Sequence, residues 1–486
     1  MYRKTTLSNG LRVVTKKLES TKAVTVLVLV GAGSRYEKKE INGISHFLEH
    51  MFFKGAKKYK NAKEVSEVID AVGGKFNAFT GKEYAGYYVK VASEKADTAF
   101  DVLSDMMLHS RFDQAEIDKE RGVILEEYNM YQDTPMYQIG WDFEGLVYGD
   151  QPLGWDQIGT KELIQSVMHE DFVKYKSELY TSDNTIIAVC GNIDHDEAIA
   201  KIEKYFDMEE GKKAYGFEKV KKAGSRAGSL AGSDGDGGVG ASGHGAGTGS
   251  GAGVSFLSKS GRVHLKEKKT EQAHLVLGVE AFPETHPDHW ILKVLSVILG
   301  GNMSSRMFLN VREAYGLAYY IRTNTDDYMD TGLISTTAGV DVGRAEMAVE
   351  KIMEQYRLIA GVGVAGAGSG SEGGSGSAAV GRGAAGSAGS GGGEVSAREL
   401  DKAKNFLKGK MVLGLEDSEE YAHLLGKFEL LHNEPMTPEE IMRAIDKVTI
   451  ADVARVAGSL FGDASRFRLA IIGPYSDVEK FDGLLG

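Results

Sequence analysis

The residues able to do chemistry gather in one short stretch, Ile41–Gly55, with the sequence INGISHFLEHMFFKG. His46 and His50 are four positions apart, so on a helix their rings lie one turn above each other and can face a single metal ion. Glu49 follows His46 by three positions on the same side, within reach of a water molecule on that ion. The order His-x-x-Glu-His reverses the His-Glu-x-x-His pattern of zinc-binding helices. Two imidazoles do not complete such a site, because a catalytic zinc takes three protein ligands and leaves one place for water. Cysteine cannot supply the third, since Cys190 is the only one; a single cysteine also rules out an internal disulfide. Carboxylates can. In ERGVILEEY, on a helix starting at Asp113, Glu120, Ile124 and Glu127 share one stripe. Glu120 and Glu127 stand two turns apart, roughly 10 Å along the axis, so one is the ligand and the other its supporting carboxylate. Spacing does not choose between them and leaves Glu126 open as well.

The elements that must hold these side chains follow from periodicity. Ile44, Phe47, Leu48, Met51 and Phe52 form one apolar stripe, so the metal-facing side is opposite a buried side. Asn42-Gly43 reads as the helix start and Gly55 as its stop. Strands are expected at Leu11–Thr15, Val24–Val30, Lys75–Thr80, Tyr84–Val91 and Thr185–Cys190. Helices are expected near Ala62–Val72, Lys95–His109 and Gln114–Gln132, the last opened by an Asp113–Glu116 capping box. His274 reads as a core residue on an apolar strand. His109, His195, His286 and His432 read as surface residues near element ends.

The later part of the chain repeats this grammar. Ala273–Val279, Gly332–Ala338 and Phe467–Ile472 read as strands, and His289–Leu299, Arg344–Ile359 and Ala397–Leu413 as helices. AVCGN and AIIGP occupy the same position twice. The fold class is therefore α+β, built from two duplicated units. The matching helix of the second unit, HWILKVLSVILGG, carries no His-x-x-Glu-His, so one metal ion per chain is expected. Glycine, 62 of 486 residues, concentrates in Ala223–Gly253 and Gly361–Gly393. These tracts hold too little apolar surface to offset ordering entropy and are expected to be flexible. The division expected is an N-terminal domain over 1–215, a Gly/Ser-rich linker over 216–258, and a C-terminal domain over 259–486 with an insertion over 361–394. A net charge of −12 argues against a general nucleic-acid binder. No apolar run approaches the ~18 residues of a membrane span, and no signal-peptide pattern opens the chain; a soluble, cytoplasmic protein is expected.

With these motifs in view, the chain resembles the pitrilysin- and insulysin-type zinc metallopeptidases, including the mitochondrial processing peptidases and small bacterial members. HFLEH resembles their zinc helix, GGKFNAFTGKEYAGYYVKV their edge-strand hairpin, QPLGWDQIGT a loop of the same half, and ILGGNMSSRMFLNVREAYGLAYY the signature of their second half. Glu127 follows His50 by 77 positions, similar to the spacing of that family's third ligand. The resemblance implies a zinc-dependent metalloendopeptidase with a clamshell of two halves that hold an extended peptide. It implies Zn2+ on His46, His50 and Glu127, one per chain, with Glu120 as supporting carboxylate and Glu49 as general base. It further implies that Asn77 and Ala78 pair with peptide backbone, and that Arg312 and Tyr319 act on the scissile region. On the residues alone, Arg312 reads as a surface ion-pair partner and Tyr319 as a core aromatic. The partners implied are a peptide substrate and a second copy or a paired homologous chain. A catalytically silent peptide-binding subunit of the same fold is the alternative, although such relatives usually lack the residues this helix keeps.

Overall fold

Alternation along one strand explains the layering of the N-terminal half. The strand Ala23–Val30 reads AVTVLVLV and is buried on both faces. Val24, Val26, Val28 and Val30 point into one core, with Phe47, Leu48 and Phe52, while Leu27 and Leu29 point into another, with Ala422 and Leu425. A strand with apolar residues on both of its faces needs a cover on each side. The structure, a computed structural model, describes residues 1–208, 211, 220, 254–362 and 393–486. The tract Ala223–Gly253 lies outside the described residues, as does nearly all of Gly361–Gly393.

By contacts the chain forms two units. One is Met1–Val254 with Tyr328–Asp330 and Lys408–Arg443; the other is Ser255–Asp327 with Thr331–Leu407 and Ala444–Gly486. The first holds strands β1 (Arg3–Thr6), β2 (Arg12–Lys17), β3 (Ala23–Val30), β4 (Lys75–Thr80), β5 (Ala85–Ala92) and β6 (Thr185–Gly191). The second holds β7 (Val254–Leu257), β8 (Val263–Glu267), β9 (Gln272–Ala281), β10 (Ala318–Asp327), β11 (Gly332–Asp341) and β12 (Arg468–Gly473). The sheet orders are β1-β2-β6-β3-β5-β4 and β10-β11-β9-β12-β8-β7. Read from opposite ends they coincide, and each has its parallel pair at the same place, β2 with β6 and β8 with β12. β6 carries AVCG and β12 carries AIIG, so the duplication expected from these phrases is present in the topology.

In the first unit the helices are α1 (Ile44–Phe52), α2 (Ala62–Asp70), α3 (Ala96–His109), α4 (Gln114–Asp133), α5 (Pro135–Tyr148), α6 (Lys161–Ser166), α7 (His169–Leu179) and α8 (His195–Tyr205). Then follow α9 (His289–Gly300), α10 (Ala345–Ile359), α11 (Ala397–Gly414), α12 (Ser418–His432), α13 (Pro438–Lys447), α14 (Ile450–Phe461) and α15 (Val478–Leu484). The second cover of the first sheet is α12, from far along the chain. Ala422 and Leu425 sit on Leu27, Leu29, Ile186 and Ala188. Gly426 passes so close that an added Cβ would meet Leu29 Cδ1 and Ala188 Cβ. Thr25 and Ser418 join their hydroxyls at 2.8 Å across the same layer. Cys190 is buried there, and burial pushes its thiol up to about 12.

Two local expectations are corrected. Asp113 makes no side-chain cap to α4; its carboxylate pairs at 2.8 Å with Arg111, which outcompetes the helix N–H groups. His195 is buried rather than on the surface, wedged between Thr5 (2.9 Å) and Thr15 (2.8 Å) of β1 and β2.

Candidate metal centre

α1 presents its apolar stripe to the core and its polar stripe to α4. Ile44, Phe47, Leu48, Met51 and Phe52 are buried, as the spacing demands. The helix starts at Gly43 with φ 97°, a left-handed conformation that glycine adopts without penalty. No side chain caps it from the usual position; the buried carboxylate of Glu37 does so from upstream. Glu37 accepts from the Gly43 and Ser45 N–H groups and from Asn42 Nδ2, each at 2.8 Å. Burial pushes this carboxyl up against the pull of its donors. The segment 149–160, which includes the QPLGWDQIGT phrase, closes on the same point. A Cβ on Gly43 would run into the Ile158 carbonyl, and a Cβ on Gly159 into the Asn42 carbonyl. Two glycines thus let two backbones touch beside the first turn of α1.

On the opposite stripe, His46 and His50 lie with ring centroids 4.8 Å apart. His46 Nε2 is 3.6 Å from Glu127 Oε1, and His50 Nε2 is 3.5 Å from Glu127 Oε2. One donor atom from each of the three residues lies within 4.8 Å of the others. Glu126 is exposed, so of the three glutamates left open by spacing Glu127 joins the histidines. Glu120 instead takes the far nitrogen of His50, Nδ1 to Oε1 at 2.9 Å, while Lys54 holds its other oxygen at 2.6 Å. Such a carboxylate fixes the ring so that Nε2 faces the ion. Two neutral imidazole nitrogens and a carboxylate oxygen, converging on one point from two helices, fit zinc with a place left for water.

The electrostatics agree with a cation between these groups. Hydrogen bonds to His46 and His50 hold the Glu127 carboxyl well below the usual carboxylate range. Burial disfavours the His50 imidazolium, yet hydrogen bonds and charge from Glu120 and Glu127 overcome it and carry His50 up to about 9. Burial pushes Glu120 up, and hydrogen bonds from His50 and Lys54 pull it further down. The metal-free site therefore draws a proton to where the metal would sit.

The insulinase (peptidase family M16) pattern matches residues 12–141, which contain α1 and Glu127. The chain belongs to the M16 peptidases. The pattern of the M16 inactive domain matches residues 166–364. An uncharacterized zinc protease of Bacillus subtilis, YmxG, is 34% identical over 98% of this chain and 100% of its own length. One from Streptomyces coelicolor is 32% identical over 98% of this chain and 90% of its own. In fold the chain is similar to a protease from Helicobacter pylori, with TM-score 0.78, 22% identity, and 98% and 99% of the two chains covered.

In this M16 peptidase Glu49 shares the polar stripe with the histidines, and its Oε2 accepts from Thr80 Oγ1 at 2.6 Å. Asn77 and Ala78 lie on β4, the terminal strand of its sheet, opposite Tyr88 and Tyr87. Arg312 and Tyr319 belong to the other unit and are not members of the ligand cluster. Arg312 lies over the Phe308 ring at 4.6 Å. Tyr319 is 76% exposed beside a bulge in β10, so it is no core aromatic. Sequence reasoning missed Glu37, Lys54 and Thr80. Lys54 was within view, four positions after His50; Glu37 and Thr80 reach the site only through the fold. Among the described residues no helix is long and apolar enough to cross a membrane.

Proposed function

We propose that the protein hydrolyses internal bonds of extended peptides, with zinc held by His46, His50 and Glu127. The supporting observation is the convergence of these donor atoms within 4.8 Å, with Glu49 on the same helix stripe. Zinc supplies Lewis acidity there, polarising a peptide carbonyl and making a water molecule acidic near neutral pH. Glu49, an acceptor only when ionised, takes the proton from the attacking water and passes it to the leaving amine. Glu120 keeps His50 in the orientation that turns Nε2 inward. The free edge of β4 at Asn77 and Ala78 offers backbone groups to an extended chain, adding it as a further strand. Arg312 and Tyr319 take their roles from the family resemblance. They donate hydrogen bonds as negative charge develops on the carbonyl oxygen, worth about 3 kcal/mol for a well-placed donor. A second copy, or a homologous chain, is the proposed partner in a cytoplasmic setting. The experiment is metal analysis with a quenched-peptide assay. Wild-type protein binds about one zinc and cleaves, while Glu49→Gln binds zinc and loses about 10²–10⁴-fold in kcat. Zinc-loaded Glu49→Gln cleaving at the parent rate would refute the base.

A further inference from the structure

We propose that Thr80 is a positioning residue for Glu49 and ties the aim of the base to the edge strand β4; this rests on Glu49 serving as general base. In β4 the alternate residues Phe76, Ala78 and Thr80 share one side. The Phe76 ring packs at a tilt against Phe53, just beyond α1, with centroids 5.5 Å apart, and Ala78 is buried. Thr80, the last residue of the strand, places Oγ1 2.6 Å from Glu49 Oε2. The same hydroxyl has a second acceptor, the Ser45 carbonyl, only at 3.4 Å. A threonine has one hydroxyl proton to give, and the short contact to a carboxylate is the stronger of the two. That proton is committed to Glu49.

The direction of the hydroxyl is itself fixed. A β-branched side chain is stiff about its first torsion, so Oγ1 points where the strand backbone aims it. The peptide group that follows Thr80 is fastened at both of its ends. Its carbonyl accepts from Gln157 Nε2 at 2.9 Å, and the next residue, Gly81, donates its N–H to the Tyr84 carbonyl at 2.9 Å. The Gln157 contact comes from the segment that also touches the start of α1 at Gly43 and Gly159. A glutamate otherwise free in three torsions is thereby held at one oxygen, leaving the other for the water proton. A peptide that lengthens the sheet along β4 settles the strand that orients the base.

Thr80→Val keeps the shape and strand preference but removes the donor, and Thr80→Ser keeps the donor but loses the methyl. Both are assayed in the full-length, zinc-loaded protein with a quenched-fluorescence peptide, beside Glu49→Gln. Thr80→Val is expected to retain about one zinc per chain and lose about 10–100-fold in kcat, as for other groups that orient site residues. KM should stay within about twofold and Thr80→Ser should return kcat to within about threefold of the parent. Parent-like kcat in Thr80→Val, a loss confined to KM, or Thr80→Ser as impaired as Thr80→Val overturns the proposal. So does zinc loss in both Thr80→Val and Thr80→Ser, which would mark a folding role. An inactive Glu49→Gln beside a fully active Thr80→Val removes the Thr80 role alone. A fully active Glu49→Gln removes the base, and this proposal with it.

Discussion

His50 is gripped at both ring nitrogens, by Glu120 on Nδ1 and by Glu127 across Nε2. In the metal-free protein those carboxylates carry it up to about 9, whereas zinc needs the neutral ring. Below about pH 9 the metal must therefore displace a proton, and above that value it need not. Calorimetric titration of zinc into metal-free protein, in buffers of different ionisation enthalpy, should show about one proton released from His50 near pH 7.5 and none from it near pH 10. Glu127→Gln removes a ligand and should abolish stoichiometric zinc, while Glu126→Gln, altered on an exposed residue, should leave it intact. Glu120→Gln should weaken zinc binding about 10–100-fold without removing a ligand; competition with a chromogenic chelator measures each. At this scale HFLEH was legible because four-residue spacing on a helix is itself geometry. Glu127 was narrowed to a helix stripe but not chosen, since a stripe does not say which turn lies opposite another helix. Thr80 was silent, because its partner lies 31 positions away on an element of different type.

At the scale of the element, α1 depends on what meets its first turn. The helix ends at Phe52, short of the expected stop at Gly55, whereas its apolar stripe and its start at Gly43 were readable from period and turn residues. Its cap was not: Glu37 reaches three donors around a turn that capping rules do not describe. Glu37→Ala leaves those buried donors without their acceptor and should destabilise the protein by about 3 kcal/mol. Gly43→Ala forces a side chain into left-handed backbone and against the Ile158 carbonyl, with an expected loss of about 1–3 kcal/mol. Urea denaturation with and without zinc measures both. The Asp113–Glu116 box failed for the converse reason, since a neighbouring Arg111 captured the acid that the helix end was expected to hold.

At the scale of the whole molecule, the repeated order of strands was legible from two short phrases and a shared succession of elements. The origin of the second cover was not. The run of valines and leucines in β3, broken only by Thr25, shows that both faces must be covered, but nothing in it says that Ser418–His432 does so. The first unit is thus discontinuous in the chain. A fragment of residues 1–254 should bind a hydrophobic dye through Leu27, Leu29, Ile186 and Ala188, and a peptide of residues 408–443 should suppress that signal. A fragment that stays dark without the peptide would show that the sheet does not need α12.

The same return of the chain sets a clock on the ribosome. The last strand of the first sheet is complete at Gly191, but its outer helix begins only at Ser418. At about 5–20 residues per second, translation of the stretch between them takes roughly 10–45 s. For that interval a finished apolar surface has no native cover, so a nascent-chain chaperone that shields it temporarily should raise the yield of active protein.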